Sequence, residues 1–235
     1  MKILVIIPAY NEAESITNVI AKLKQDMPRA DYVVVNDCSK DSTMDKLREA
    51  EASYLNLPIN LGIGGGVQTG YKYALLNGYD IAVQIDGDGQ HDTQYLQAVI
   101  QPIIAGEKDI VIGSRFLKKE GFQSSGLRRV GITFLSALIR LCSGVKIYDV
   151  TSGFRAVSRE YIKIYATDYP VDYPEPEAIV MAALAGARVG EVPVIMKERQ
   201  GGESSISAFK SVYYMIKVSL AVILCRITHR KRKRQ

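Results

Sequence analysis

The chain has 235 residues, 47% of them hydrophobic, which is enough to bury one large α/β core and argues against two small independent domains. Its three cysteines, Cys38, Cys142 and Cys225, lie far apart without a Cys-x-x-Cys pair, which excludes a disulfide framework or zinc site and favours a reducing cytosol. The net charge of +5 comes from the C-terminal end of the chain, because residues 226–235 hold six of the 30 basic side chains and none of the 25 acidic ones.

The first half of the chain alternates short apolar segments with helix-like segments. Residues 3–7, 32–35, 81–85 and 110–112 are rich in β-branched side chains, which predicts strands buried on both faces. The N-terminal run is too short for a signal peptide and has no cleavage site after it, so we expect it to be the first strand. The spacing of about 10 to 16 residues between strands predicts a mostly parallel α/β sheet flanked by helices.

The second half, from about residue 113, is less regular. We predict a loop at 118–126, a helix around 132–141, a polar segment at 149–155, an acidic, proline-rich segment at 172–177 and an apolar helix at 178–185. No internal repeat, low-complexity linker or change in composition marks a second domain. The chain is therefore predicted to form one domain over residues 1–205, followed by an amphipathic helix and basic tail over residues 206–235.

Polar clusters follow three of the predicted strands, at the ends where parallel sheets bind their ligands. They are Pro8-Ala9-Tyr10-Asn11-Glu12, Asn36-Asp37 and Asp86-Gly87-Asp88-Gly89-Gln90-His91. Asp86 and Asp88 are the acidic pair that a hard cation and a diphosphate leaving group require. An ordinary acidic turn after a strand gives the same triplet, so these residues alone leave both interpretations open.

The residues near this pair divide between ligand binding and local structure. Asp37 ends a strand and Glu12 follows one, so both are expected to face the ligand crevice, where Glu12 could hold a ribose hydroxyl. Asn11 is expected to start the first helix, and either Ser39 or Asp41 to cap the second.

A glycine-rich segment at residues 60–70 is similar to a phosphate cradle at a helix N-terminus. It lacks the Gly-Lys-Ser/Thr of a P-loop and does not follow the first strand directly. We therefore expect these glycines mainly to let a helix pack closely against the sheet.

Six motifs, in this order, resemble the inverting family 2 glycosyltransferases of the GT-A fold. The closest likeness is to the branch of dolichol-phosphate-mannose synthases and bacterial polyprenyl-phosphate sugar transferases, and it runs from residue 3 to about residue 216. The motifs are Pro8-Ala9-Tyr10-Asn11-Glu12, Asn36 to Thr43, Asn60 to Gly70, Asp86 to His91, Gly113-Ser114-Arg115 and Thr151-Ser152-Gly153-Phe154-Arg155.

The resemblance implies a donor site for a nucleotide-sugar. It implies a nucleoside pocket formed by Pro8, Tyr10, Glu12 and Asp37, with Asp37 on the base and Glu12 on the ribose. It also implies a site for Mg²⁺ or Mn²⁺ and the diphosphate, formed by Asp86, Asp88 and Gln90, in which Asp88 also has a catalytic role.

Three arginines are implied to supply positive charge in this site. Arg115 and Arg155 would lie near the donor or acceptor phosphate, where guanidinium groups give bidentate contacts, and Arg155 is assigned a catalytic role. Arg199 begins a late Arg-x-x-Gly-x-Ser loop that would close over the diphosphate. The chain departs from the family pattern at two positions, Ile63 and Glu203, where many relatives have lysine. Both departures reduce the local positive charge.

The acceptor decides whether the reaction needs a base. A sugar hydroxyl must lose its proton to a carboxylate, whereas a lipid phosphate is already ionised at neutral pH. The candidates for this base are Asp172, Glu175 and Glu177, and we assign the role to Glu177. The two glutamates would equally suit the first turn of the following helix, where carboxylates are favoured.

Near the C-terminus, an apolar stripe with helical spacing runs into the basic tail. Lys210, Lys217 and Arg226 interrupt it, so it predicts an interfacial helix on an anionic membrane surface rather than a transmembrane span. A core-packing or dimer-forming helix with a solvated tail is the alternative. The stripe comprises Ile206, Phe209, Val212, Tyr213, Ile216, Leu220, Ile223, Leu224 and Ile227.

Together these observations predict a metal-dependent transferase, cytoplasmic and peripheral on the inner face of the cell membrane. It would move a sugar from a UDP-sugar, with GDP- or dTDP-sugars as alternatives, to a polyprenyl phosphate. A saccharide or lipid-linked glycan hydroxyl is the alternative acceptor, and a homo-oligomer is left open. Nucleic-acid binding through the tail is disfavoured, because no aromatic residues are interleaved with its cations.

Overall fold

A seven-stranded sheet forms the centre of the fold. The computed structural model describes residues 1–118, 120, 126–197 and 208–232, with the side chains of 126–128, 208–212 and 229–232 left aside. The strands are β1 (Ile3–Ala9), β2 (Asp31–Asn36), β3 (Tyr54–Asn56), β4 (Ile81–Gln84), β5 (Ile110–Ser114), β6 (Arg155–Ser158) and β7 (Val189–Pro193). Their order is β3-β2-β1-β4-β6-β5-β7, and every neighbouring pair is parallel except the two that involve β6.

The four predicted strands are confirmed as β1, β2, β4 and β5. The sequence did not predict the other three strands. β3 is only three residues long, β6 begins within the polar segment predicted at 149–155, and β7 contains Gly190 and ends at Pro193. These strands therefore lack the long apolar run by which the others were recognised.

Helices cover both faces of the sheet. They are α1 (Ile16–Asp26), α2 (Thr43–Glu49), α3 (Gly62–Leu76), α4 (Leu96–Ile104), α5 (Gly126–Ser143), α6 (Arg159–Thr167), α7 (Pro174–Leu184) and α8 (Ala208–Arg232). The helix predicted at 132–141 is the central part of α5. The helix predicted at 178–185 begins four residues earlier, because Pro174 occupies the first helical turn, where its fixed φ is favourable.

Two local predictions about helix starts are resolved by the structure. Asn11 does not start α1. It has a φ of 57° and its side chain accepts the backbone N–H of Lys40 at 2.8 Å, which joins the loops after β1 and β2. The N-cap residue of α2 is Ser42, so neither Ser39 nor Asp41 is the cap: Asp41 accepts the N–H of Thr43 at 3.0 Å from one position earlier, and Ser39 donates to Asn36.

The two faces of the sheet bury separate hydrophobic cores. Alternate side chains of β1 point to opposite faces, so Leu4 and Ile6 join the core under α3, α5 and α6, while Val5 and Ile7 join the core under α1 and α4. All four of these side chains are fully buried. Each contributes about 1.5–3 kcal/mol of hydrophobic stabilisation, which explains why the strand sequences are continuously apolar.

The glycines of α3 pack the helix closely against its neighbours. A Cβ at Gly70 would lie 2.2 Å from Cγ2 of Ile6 in β1, and one at Gly64 would lie 2.1 Å from the backbone oxygen of Pro170. The backbone N–H of Gly64 also donates to the carbonyl of Val171 at 3.1 Å. The prediction that these glycines serve close packing is confirmed.

Helix α8 uses one face for the core and leaves the other outside. Met215, Val218 and Val222 pack in the core beside α5 and α7. The predicted stripe is a different face, and its described side chains are exposed: Tyr213, Ile216, Leu220, Ile223, Leu224 and Ile227. These residues of the stripe therefore do not pack in the core. Ile206 and the side chains of Phe209 and Val212 lie outside the described part of the chain. The domain boundary predicted at residue 205 lies outside it as well.

We expect Gly70→Ala to lower the free energy of unfolding by about 2 kcal/mol, because the added methyl overlaps the side chain of Ile6. Gly66→Ala on the same helix is the matched control, since its Cβ meets nothing closer than Pro8 Cβ at 3.9 Å. That control should gain about 0.5–1 kcal/mol from helix propensity. Urea unfolding of both variants measures the difference, and equal midpoints would contradict the close approach of α3 to β1.

Candidate active site

The carboxyl ends of three adjacent parallel strands bring the predicted donor-site residues to one edge of the sheet. In the sheet, β1 lies between β2 and β4, and all three run in the same direction. Tyr10 and Glu12 follow β1, Asp37 follows β2, and Asp86 follows β4. Three polar clusters far apart in sequence thus lie side by side, as the sequence predicted.

The loop after β4 is built so that its carboxylates are held in place. The backbone N–H of Asp86 donates to Nδ1 of His91 at 2.9 Å, and the backbone N–H of Gln90 donates to Oδ1 of Asp88 at 3.0 Å. The His91 ring in turn stacks on Phe154 with 5.1 Å between ring centroids. The segment is therefore a real turn, and the same turn orients the acidic pair, so the two interpretations of the triplet are compatible.

Gly87 allows this loop to lie against the end of β1. A Cβ there would be 3.2 Å from the backbone oxygen of Pro8 and 3.5 Å from Cγ of Glu12. The carbonyl of Gly87 accepts the hydroxyl of Ser15 at 2.7 Å, and that hydroxyl lies 3.2 Å from a carboxylate oxygen of Glu12. The acidic loop and the ribose-binding candidate thus form one connected surface.

The side-chain oxygens at this loop suit a divalent cation that prefers oxygen ligands. Asp86 is partly exposed, Asp88 is buried, and Oε1 of Gln84 beside them is buried without a hydrogen-bond partner. Within the described residues, no three His, Cys, Asp or Glu side chains are grouped so that they could hold a metal ion. The carboxylates of Asp86 and Asp88 and the unpartnered oxygen of Gln84 are of the type that Mg²⁺ or Mn²⁺ takes, but they supply only part of a coordination shell.

Gln90, the third residue implied at the metal, is held by the segment that follows β7. Its side-chain amide donates to the carbonyl of Lys197 at 3.4 Å, and its own carbonyl accepts the N–H of Lys197 at 2.9 Å. These contacts leave the side-chain oxygen of Gln90 as the atom with ligand chemistry. Arg199, two residues further along, lies outside the described residues.

Asp37 connects the end of β2 to the start of α3. Its Oδ1 accepts the backbone N–H of Leu61 at 2.7 Å, and its carbonyl accepts the side-chain amide of Asn60 at 3.0 Å. Pro8 is buried beside it and Tyr10 is exposed at the rim. The four residues implied for the nucleoside thus share one edge, with Asp37 fixed by α3 and Tyr10 accessible to a ligand.

Arg115 takes part in a buried bidentate ion pair. Its Nε and Nη2 each lie 2.7 Å from the carboxylate of Asp149, which also accepts the backbone N–H of Arg115 at 3.0 Å. One edge of the guanidinium is therefore used to join β5 to the segment before β6. The sequence singled out Arg115 but did not identify Asp149 as its partner.

Arg155, predicted from the sequence to lie near a donor or acceptor phosphate, is a core residue. Its side chain is fully buried, and its guanidinium donates to the carbonyls of Ser152 at 2.8 Å and Glu175 at 3.4 Å. The reason is its position at the start of β6, a central strand, which turns the side chain into the core between α3 and α7.

The three candidate bases lie in different surroundings. Asp172 forms an exposed ion pair with Lys217 on α8. Burial raises the pKa of Glu177, with Asp168 as its charged neighbour, and Glu177 in turn helps raise the pKa of Cys225 on α8. These neighbours belong to the C-terminal end of α6 and to α8 rather than to the edge that carries Asp86.

Glu175 is the glutamate whose charge interacts with that of Asp86. Burial raises its pKa, the Arg155 charge opposes this shift, and Asp86 adds to it. Residues two apart on a helix point about 200° away from each other, so only one of Glu175 and Glu177 can face the crevice. The start of α7 at Pro174 determines which glutamate that is.

Comparisons with known proteins agree with this geometry. The model of the family described as Glycosyl transferase family 2 matches residues 4–165. The chain belongs to glycosyl transferase family 2. It is 32% identical to the UDP-N-acetylglucosamine–dolichyl-phosphate N-acetylglucosaminyltransferase of Methanococcus voltae, over 94% of this chain and 98% of that protein. It is 31% identical to the undecaprenyl-phosphate mannosyltransferase of Micrococcus luteus, over 88% of each.

The fold of this family 2 glycosyltransferase is the GT-A fold expected from the sequence. Glucosyl-3-phosphoglycerate synthase from Mycobacterium tuberculosis, in complex with Mn²⁺, UDP-glucose and glycerol 3-phosphate, superposes with a TM-score of 0.71. The match covers 96% of this chain and 79% of that one, at 20% sequence identity. The enzyme class and the branch predicted from the six motifs are thereby confirmed.

Proposed function

We propose that the protein transfers a sugar from a nucleoside diphosphate sugar to a polyprenyl phosphate, with a divalent cation at Asp86 and Asp88. The observation that carries the proposal is the placement of this acidic pair after β4, beside Glu12 and Asp37 at the ends of β1 and β2. The lipid acceptor is supported by the two relatives named above, which are described as dolichyl-phosphate and undecaprenyl-phosphate sugar transferases.

The donor binds across the three strand ends. Asp37 and the exposed Tyr10 hold the base, Glu12 takes a ribose hydroxyl, and the diphosphate lies at the acidic loop. When bound, the cation neutralises charge on the diphosphate leaving group. Asp86 and Asp88 would hold it, with the side-chain oxygen of Gln90 as a further ligand, and structures of the tuberculosis enzyme contain Mn²⁺ or Mg²⁺ with UDP.

The acceptor approaches from the side of α7, where Glu175 lies. A phosphate oxygen attacks the anomeric carbon opposite the leaving group and needs no proton removed, so Glu175 would then only shape the pocket. A glycan hydroxyl, the alternative acceptor, would need Glu175 as its base. The Glu175→Gln variant therefore separates the two: a decrease of about 10²-fold or more in the rate of transfer indicates the hydroxyl, and a small change indicates the phosphate.

Sugar transfer with labelled UDP-, GDP- and dTDP-sugars tests the proposal directly. We expect one donor class, with UDP-sugars favoured, to label polyprenyl phosphate but not the corresponding polyprenol. Chelation of divalent cations should abolish transfer, and Asp88→Asn should reduce it by about 10²-fold, because charge on the leaving group is then poorly stabilised.

The control for that assay is Asp45→Asn, which removes an exposed carboxylate from the surface of α2. Its transfer rate should equal that of the wild type. Equal transfer to polyprenol, or full activity of Asp88→Asn in the presence of chelator, would contradict the proposed reaction.

We also propose that the enzyme works at the cytosolic surface of a membrane, held by the outer faces of α5 and α8. Within the described residues, no helix is long and apolar enough to cross a bilayer. Helix α8 packs beside α5, where Gly131 lies against Met215, and α5 exposes Val130, Phe134 and Leu141. An apolar face that continues into a basic C-terminal segment is typical of interfacial helices on anionic lipid.

Flotation with phosphatidylglycerol liposomes tests this membrane proposal. We expect the wild type to float and Leu220→Asp to float at least about 10-fold less, because the charge faces the acyl boundary and costs roughly 2 kcal/mol or more there. Leu76→Asp is the matched control, since Leu76 is 85% exposed on α3. If both variants float like the wild type, or if neutral phosphatidylcholine binds as well, the outer face and basic segment do not act as proposed.

A further inference from the structure

Arg155 is a buried charge directly behind the acidic loop. It is the first residue of β6, paired in register with Gln84 of β4 and Ile112 of β5. Its guanidinium donates to the carbonyl of Ser152 and, more weakly, to that of Glu175. These two carbonyls belong to two segments that are separate in sequence, the loop before β6 and the first turn of α7.

The loop before β6 forms a wall of the cation site. A Cβ at Gly153 would lie 3.0 Å from Oδ1 of Asp86 and 3.0 Å from Nε2 of Gln84. The next residue, Phe154, stacks on His91, which accepts the backbone N–H of Asp86. Segment 152–154 therefore contacts Asp86 directly through Gly153 and indirectly through the His91 ring.

Three buried tyrosines lie near the guanidinium. Tyr71, Tyr165 and Tyr169 have mutual centroid separations of 5.1 to 5.4 Å. Burial raises the pKa of each phenol, which keeps all three neutral. Burial opposes the charge on Arg155, but the nearby carboxylate of Glu175 favours it; the pKa of Arg155 is raised and the guanidinium stays charged.

This arrangement is costly for stability alone. Nε of Arg155 and the hydroxyls of Tyr71 and Tyr169 are buried without a hydrogen-bond partner. An apolar side chain would avoid the cost of burying a charge with so few hydrogen bonds. What the arginine provides instead is a rigid bridge between two backbone segments that an apolar side chain could not hold.

We propose that Arg155 is a positioning residue, which holds segment 152–154 and the first turn of α7 against Asp86 and so sets the cation site without touching the donor. The inference rests on the proposed function, because it assumes that the acidic loop binds a cation with a nucleoside diphosphate. Groups that orient metal ligands from behind commonly change metal affinity by about 10- to 100-fold.

Equilibrium binding measures this effect without turnover. Titration calorimetry of UDP, GDP and dTDP at a series of Mn²⁺ concentrations gives the Mn²⁺ concentration for half-maximal nucleotide binding. We expect Arg155→Met to raise that concentration by about 10-fold. Arg155→Lys should raise it by less, because its ammonium group still donates to one of the two carbonyls although it cannot bridge both. Nucleotide binding in chelator, where the cation plays no part, should be the same in all variants.

Two further variants keep the test decisive. Arg159→Met is the matched control, since Arg159 is exposed and pairs with Asp80 at the surface, and it should leave the Mn²⁺ requirement unchanged. Gly153→Ala retains Arg155 but puts a methyl against Asp86, and it should raise the Mn²⁺ requirement even if Arg155→Met does not fold.

The outcomes distinguish this inference from the proposed function. If the wild type binds no nucleotide in a Mn²⁺-dependent way, the proposed function fails and the inference fails with it. The second case is that the wild type binds nucleotide in a Mn²⁺-dependent way, and the folded Arg155 and Gly153 variants need the same Mn²⁺ concentration as the wild type and differ only in a lower melting temperature. Arg155 is then purely structural, and the inference alone is overturned.

Discussion

The pairing of β4 with β1 on one side and β6 on the other fixes the position of Asp86. Parallel pairing with β1 brings the acidic loop beside Glu12, and antiparallel pairing with β6 brings Gly153 against the Asp86 carboxylate. The strand is only four residues long, yet all four are buried. Both faces of the sheet are covered, so a shift in register by one residue would exchange side chains between the two cores and move the acidic pair away from the other strand ends.

Helices α7 and α8 link this edge of the sheet to the outer surface. Glu175 lies in the first turn of α7 and its charge interacts with that of Asp86, while Tyr173 packs edge-on against Tyr214 of α8 with 4.7 Å between centroids. Lys217 of α8 pairs with Asp172 just before α7. A lipid-linked acceptor held at the exposed stripe would therefore be close to the elements that flank the site, which is the geometry that a reaction between a dissolved donor and a membrane-bound acceptor requires.

Much of the fold could be predicted because strands buried on both faces have a continuous apolar pattern, and the polar clusters that follow them mark the ligand edge. β3, β6 and β7 were missed because short strands with polar or glycine residues lack that pattern. The acidic loop and the packing glycines were also recognisable. The environment of Arg155 and the choice between Glu175 and Glu177 were not, because both depend on where a strand and a helix begin, and on which side chains from distant segments surround them.

The central claim is that the loop after β4 holds a divalent cation together with the donor diphosphate. Anomalous diffraction from crystals soaked with Mn²⁺ and the nucleoside diphosphate that the enzyme accepts tests it most directly. The expected result is one strong Mn²⁺ peak within about 2.3 Å of carboxylate oxygens of Asp86 or Asp88, bridged to the diphosphate. Ordered nucleotide without a peak at this loop, or a peak bound elsewhere in the molecule, would contradict it.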